Sequence, residues 1–371
     1  MMALQAGMSA PRVLAADLAA LDAPVLCVVF DTEEEFDWNA PFSRGNRRVE
    51  ALGWLAAAQR LLRRFGIVPC YLLDYPVATA PRTPEIFGPW VEAGECLIGA
   101  QLHPWVTPPD EEVVCPFNTF PCNLPPDLER RKLAVLTDAV AAALGVRPTI
   151  YKAGRYGIDI RREATIAELG YLVDTSVVPH RSFAGSGGGP DFHGYPEQPF
   201  WSGPARRLLY LPVTQSLVGP LGALARGRRG RFLFGAAMSR LHVPGALARL
   251  HLVERIMLTP EGTSLAEMCR LADAMLRDGA KVFTLSLHSP SLMPGGTPYA
   301  ATPEECEALL ARMAGFLEHF FGRMGGRATT PLALRRLALG DATEAEIAVD
   351  TRAPAPGAAA ARRPLGGVMA R

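Results

Sequence analysis

The chain has little of what most quickly assigns a protein. Its 38 basic and 37 acidic side chains nearly cancel, so no global field draws in nucleic acid. Seven cysteines are scattered, odd in number and without a C-x-x-C pair, which indicates neither a disulfide framework nor a zinc knuckle. A reducing compartment fits that usage. No apolar run reaches the roughly 18 residues needed to span a bilayer. The first residues carry no basic stretch before their Ala/Leu run, and Asp17 and Asp22 interrupt it, so no signal peptide is expected. Cytoplasmic placement is the expectation. No G-x-G-x-x-G follows the first apolar segment, which argues against a dinucleotide fold. The basic run Arg226-Gly-Arg-Arg-Gly-Arg231 lacks interleaved aromatics and reads as a solvated loop. The glycine run 185–189 precedes Pro190 rather than a helix, and reads as a flexible loop.

What is present is concentrated at one place. Leu26-Cys27-Val28-Val29-Phe30 ends abruptly in Asp31-Thr32-Glu33-Glu34-Glu35-Phe36-Asp37. A continuous apolar run reads as a strand buried on both faces, as in a parallel sheet. Acids just past its carboxyl end lie where α/β folds keep their chemistry. Asp31 and Glu33 are two apart, so an extended chain points both to one side. Two like charges so held need a cation, a shared proton or water. A metal or general-base site is therefore expected there. Glu34, Glu35 and Asp37 fit a solvated acidic loop better.

Along the 371 residues, apolar strands are expected near 25–31, 67–73, 96–102, 148–152, 171–174, 208–213 and 281–287. Helical patterns lie between them: Arg48–Phe65, Thr83–Ala93, Asp127–Leu144, Arg161–Leu169, Ser264–Asp278 and Thr302–Phe321. This alternation implies a parallel α/β sheet, and about seven strands suggest closure into a barrel. An open doubly wound sheet is the competitor. Residues 1–22 read as a flexible leader and 23–338 as one α/β domain. The Ala/Pro/Arg-rich stretch 339–371 cannot bury enough apolar surface to offset chain entropy, and reads as a disordered tail.

Each expected strand delivers polar residues at its carboxyl end. Beyond Asp31 and Glu33 these are Asp74, then Gln101 and His103, then Lys152 and Arg155, then Asp174, and last His288. In a barrel such positions converge on one cleft. The set holds a possible base, metal ligands, an acid and cationic orienters, the inventory of metal-assisted hydrolysis. Asp74 fits a cap before Pro76 equally well, and Lys152 and Arg155 fit ordinary ion pairing. Trp105 reads either as core or as a sugar-stacking platform at the cleft rim.

In this order, the blocks Phe30-Asp31-Thr32-Glu33, Ile98-Gly-Ala-Gln-Leu-His103-Pro-Trp105, Tyr151-Lys-Ala-Gly-Arg-Tyr-Gly157, Asp174-Thr-Ser-Val-Val-Pro179 and Leu287-His288-Ser-Pro-Ser resemble the polysaccharide deacetylase family. This is the NodB-homology family, carbohydrate esterase family 4, and the likeness is greatest to its WalW-type branch, found with exopolysaccharide genes. It covers roughly residues 24–335 and implies a distorted (β/α)7 barrel. It also implies that Asp31 is the catalytic base, Glu33 the metal-binding acid and His288 the general acid, with Asp174 holding the His288 tautomer. Two histidines four apart usually complete the metal site. Gln101 and Trp105 stand in those positions here, and neither replaces an imidazole well. Zinc would then move to Glu33, His103 and a third group such as Asp74, with Gln101 beside them, or no tight metal is held. Lys152 stands where an arginine is common and Gly154 where a proline is. Arg155 would supply the lost guanidinium, and Trp105 and Tyr156 would meet the substrate.

The resulting expectation is metal-dependent removal of N-acetyl groups from an amino sugar in exopolysaccharide or cell-surface glycan biosynthesis. Its partner is a carbohydrate or glycan precursor, not nucleic acid; cytoplasmic placement favours a precursor. The residues leave open an impaired carbohydrate-binding protein, a two-carboxylate glycosidase, and a hydrolase of a small non-sugar amide.

Overall fold

The computed structural model describes residues 13–227, 249–250 and 252–347. Twelve strands occur among them: β1 (Leu14–Ala15), β2 (Val25–Thr32), β3 (Cys70–Leu73), β4 (Leu97–Leu102), β5 (Ile150–Ala153), β6 (Val173–Asp174), β7 (Phe200–Trp201), β8 (Leu209–Tyr210), β9 (Gln215–Val218), β10 (Glu254–Met257), β11 (Val282–His288) and β12 (Arg327–Ala328). Seven of them run parallel in the order β11-β2-β3-β4-β5-β6-β8. These are the seven segments expected from the apolar runs. All six expected helices are present too. Those at Leu265–Arg277 and Pro303–Glu318 start in capping boxes, Ser264 with Glu267 and Thr302 with Glu305.

The row of seven parallel strands curls until the segments beside β8 reach β11. Among the described residues no backbone ladder joins β8 to β11, and side chains and single backbone bonds span the gap. Gln198 accepts from the N–H groups of Lys281 (2.9 Å) and Val282 (3.0 Å) and donates back to the Val282 carbonyl. The Thr214 hydroxyl accepts from Thr284 N–H at 2.7 Å, and the Leu258 carbonyl from Ser286 N–H at 3.2 Å. The result is the expected distorted (β/α)7 barrel, split at one seam.

The two-residue period of each strand sorts side chains between two layers. Leu26, Val28 and Phe30 pack outward with Leu55, Leu62, Leu133 and Phe316 of the helices. Val25, Cys27 and Val29 face inward with Cys70, Leu72, Ile150, Val173 and Val282. Asp31 continues this inward face at its carboxyl end. Lys152 follows from Ile150, and His288 from Val282, by the same parity. In the β2–β11 register Asp31 lies directly opposite His288, so pairing of the two longest strands juxtaposes them.

Packing continues on both sides of the expected 23–338 limits. β1 pairs with β7, and Leu21 is buried. The short helix Glu344–Ile347 buries Ile347, while Glu344 accepts from Asp22 N–H and pairs with Arg327. The rest of the expected leader and tail, and Arg228, Arg229 and Arg231 of the basic run, lie outside the described residues. The glycine run is not a loose loop. Gly187 has φ 108°, and a Cβ there would sit 2.7 Å from the Pro116 carbonyl oxygen. Close backbone approach accounts for Gly187, and Gly189 makes room for the Phe120 ring.

Candidate active site

At the carboxyl end of the barrel, Lys152 Nζ lies 2.6 Å from both oxygens of Asp31. Burial alone would lower the Lys152 pKa, but the charge and hydrogen bonds of Asp31, with Tyr156 and Glu33, together outweigh it and the ammonium is held above its ordinary value. His288 Nε2 lies 3.6 Å from Asp31 Oδ2. Its other nitrogen, Nδ1, meets Glu261 Oε2 at 2.9 Å. Glu261 also accepts from His288 N–H at 3.0 Å and from the Ser291 hydroxyl. Burial opposes protonation of His288, yet the carboxylates of Glu261, Glu33 and Asp31 together raise its pKa well above the ordinary value. An anionic base and a cationic imidazole therefore face each other at one opening.

A second histidine repeats the arrangement. His103 Nδ1 meets Glu34 Oε2 at 2.8 Å, and Trp105 donates to the other Glu34 oxygen at 2.7 Å while stacking on the imidazole, centroids 4.3 Å apart. Glu34 was expected in a solvated loop, but it is fully buried under the strand ends. Burial pushes its carboxyl up to about 8 and lowers the His103 pKa, both disfavouring the charged forms. His103 Nε2 points at Glu33, 3.5 Å from Oε2, where Gln101 also donates at 3.5 Å. Burial raises Glu33 to about 7. Gly154 makes room for this ring, since a Cβ there would lie 2.6 Å from His103 Cδ2 and 2.5 Å from the Leu102 carbonyl oxygen.

These groups line a cavity of about 580 Å³ with Asp31, Glu33, Gln101, His103, Trp105, Lys152, Arg155, Tyr156 and His288 in its wall. Aromatic rings form much of the remainder. Trp38 meets the His288 ring edge-on at 5.2 Å and Tyr299 at 5.4 Å.

Two expected members stand elsewhere. Asp174 does not hold His288; Glu261 does. The parity of β6 turns Val173 inward and Asp174 outward, where Ser176 N–H and hydroxyl satisfy it at 2.9 and 2.7 Å. Asp74 caps the helix Tyr75–Thr79, accepting from Val77 N–H (2.8 Å) and Glu34 N–H (2.6 Å). It lies 3.9 Å from His103 Nδ1, whereas Glu33 meets Nε2, so Asp74 groups with Glu34 at the other nitrogen of the ring. Arg155 reaches the cavity but does not pair with Asp31. Its guanidinium packs on Phe120 and Phe42 and donates to the Pro116 and Ser186 carbonyls and the Thr119 hydroxyl, bracing the wall. Tyr156 lies beneath Lys152, ring centroid 4.8 Å from Nζ. Sequence reasoning missed Glu261. It follows β10, a short half-polar strand, but Leu258-Thr-Pro-Glu261-Gly262 shows the same apolar-then-acid signal.

Asp174 has its own consequence. Burial raises its carboxyl from the ordinary value to about 7. Through that window the unfolded chain gives up its proton while the folded chain keeps it, so rising pH removes stability until about pH 7. Asp174→Asn is expected to stabilise the fold by a few kcal/mol near pH 8 and not at all near pH 4. Denaturant melts at the two pH values check it.

The residues fit a divalent ion. Glu33 Oε1 and Gln101 Oε1 are buried acceptors with no hydrogen-bond partner, beside His103 Nε2. Asp31, Glu33 and His288 also bring ligand atoms within 4.8 Å of one another. Each imidazole is oriented by a buried carboxylate on its far nitrogen, the usual support of a metal-facing histidine.

No family model matches the sequence, and no curated protein matches it. Solved structures similar to this chain include a putative polysaccharide deacetylase from Mycobacterium smegmatis, 17% identical over 83% of this chain and 88% of that one, TM-score 0.43. A family 4 carbohydrate esterase from Streptomyces lividans in complex with acetate is 11% identical over 83% and 92%, TM-score 0.38. Puue allantoinase is 17% identical over 86% and 92%, TM-score 0.44. The functional reading rests on the side chains of the cavity.

Proposed function

We propose that the protein is an amide hydrolase that removes an acetyl group from an N-acetylated amino sugar. The observation that carries this is the facing pair, Asp31 held by Lys152 and His288 held by Glu261, with 3.6 Å between them. Amide hydrolysis needs a base for the attacking water and an acid for the departing amine, which is otherwise too basic to leave. Asp31 takes the water proton, and Lys152 keeps it anionic between turnovers. His288 delivers its proton to the amine nitrogen, and Glu261 fixes its tautomer and supports its charge. Glu33, His103 and the Gln101 amide oxygen would hold a divalent ion, zinc among the candidates. Such an ion, when bound, polarises the acyl carbonyl and acidifies water. Trp38, Tyr299 and Tyr156 offer flat apolar faces to a sugar ring. The ordered sequence blocks support the same class.

Acetate release from N-acetylglucosamine oligomers tests the reading. Activity lost on chelation and restored by Zn²⁺ is the expected result. Absence of acetate from every N-acetylated sugar, with metal supplied, would oppose it.

A further inference from the structure

Among the described residues three arginines line the cavity, and two have unused donors. Arg155 is consumed in bracing the wall. Among the described residues Arg181 makes no side-chain hydrogen bond or ion pair, and rests on the Phe183 ring, 4.9 Å from its centroid. Arg255, on β10, gives one N–H to the His180 carbonyl at 3.2 Å, which sets it beside Arg181. The carboxylates of the same cavity are engaged elsewhere: Asp31 by Lys152, Glu33 by Gln101 and His103, Glu261 by His288 and Ser291, and Glu267 by Ser264. Partial burial, then the Arg181 charge, hold the Arg255 guanidinium below its ordinary value. Two neighbouring guanidiniums without a counter-charge repel, and an oxyanion between them relieves that while filling their planar donor forks.

We propose that Arg181 and Arg255 form an anion subsite in the same cavity as Asp31 and His288, and that the natural substrate carries a carboxylate or phosphoryl group besides its acetamido group. The idea rests on reading the cavity as an amide hydrolase, because it assigns the second group of that substrate. A neutral acetylated glycan would leave both guanidiniums unpaired. An acidic sugar or a sugar phosphate would not.

Calorimetric titration of the full-length protein with three probes tests this. N-acetylglucosamine is neutral, N-acetylmuramic acid carries a carboxylate, and N-acetylglucosamine 6-phosphate a phosphoryl group. At least one anionic probe is expected to bind about tenfold to a hundredfold tighter than the neutral sugar. Which one does so distinguishes the two sources of charge. The advantage should vanish in Arg181→Gln and Arg255→Gln, survive in part in Arg181→Lys and Arg255→Lys, and shrink with added salt. Equal binding of all three probes, or an advantage that survives both glutamine variants, overturns the subsite. Should a glutamine variant fail to fold, the wild-type comparison and the lysine variants decide. Acetate assays on the same probes separate the two ideas. Arginine-dependent anion binding without acetate release sinks the hydrolase and keeps the subsite. Release at equal kcat/KM from neutral and anionic probes does the reverse.

Discussion

Asp31→Asn is expected to lower amide hydrolysis by about 10³-fold or more, because the amide cannot take the water proton. The same change leaves Lys152 buried without its counter-charge. Breaking such a pair from one side costs about 3–5 kcal/mol, a large share of the roughly 5–15 kcal/mol that hold a domain folded. Stability and activity therefore fall together, and one variant cannot separate them. The double variant Asp31→Asn/Lys152→Met can. It removes the orphaned ammonium and is expected to recover most of the stability and none of the rate. Denaturant melts and acetate release on the three proteins make the check. A rate that returns with stability would show Asp31 to be structural.

Glu261→Gln carries the second large effect. Glutamine keeps an acceptor for the His288 ring but removes the charge that sustains the imidazolium. Loss of a carboxylate that orients and charges a working histidine costs about 10–100-fold. Asp174→Asn is expected to leave the rate within about threefold, since Asp174 faces the helix layer. The loss in Glu261→Gln should shrink on an acetyl ester whose leaving group needs no proton. A merely structural Glu261 would lower both reactions alike. Equal loss on amide and ester, or a larger loss in Asp174→Asn, contradicts the assignment.

Much of the barrel was legible because its strands are apolar runs ending in polar residues. Strand periodicity carried part of the site as well. Asp31, Lys152 and His288 each sit an even number of residues from an inward apolar neighbour: Val29, Ile150 and Val282. The same parity puts Asp174 outside, one residue past inward Val173. Block resemblance alone could not show this. Asp74 illustrates a different limit: a carboxylate after a strand and before proline can cap the next helix, and both its oxygens went to backbone N–H groups. Glu34 read as solvated because charge runs usually are, yet His103 and Trp105 close over it. Glu261 stayed hidden because β10 is short, and its pairing with β9 bridges a gap of more than thirty residues.

The central claim is that this cavity cleaves an amide, and product analysis tests it most directly. A purified N-acetylated amino-sugar oligomer, incubated with the wild-type protein and Zn²⁺, should yield acetate and free amine in equal amounts with the chain length intact. Shortened sugars without free amine, or no product under conditions where the sugar demonstrably binds, would contradict it.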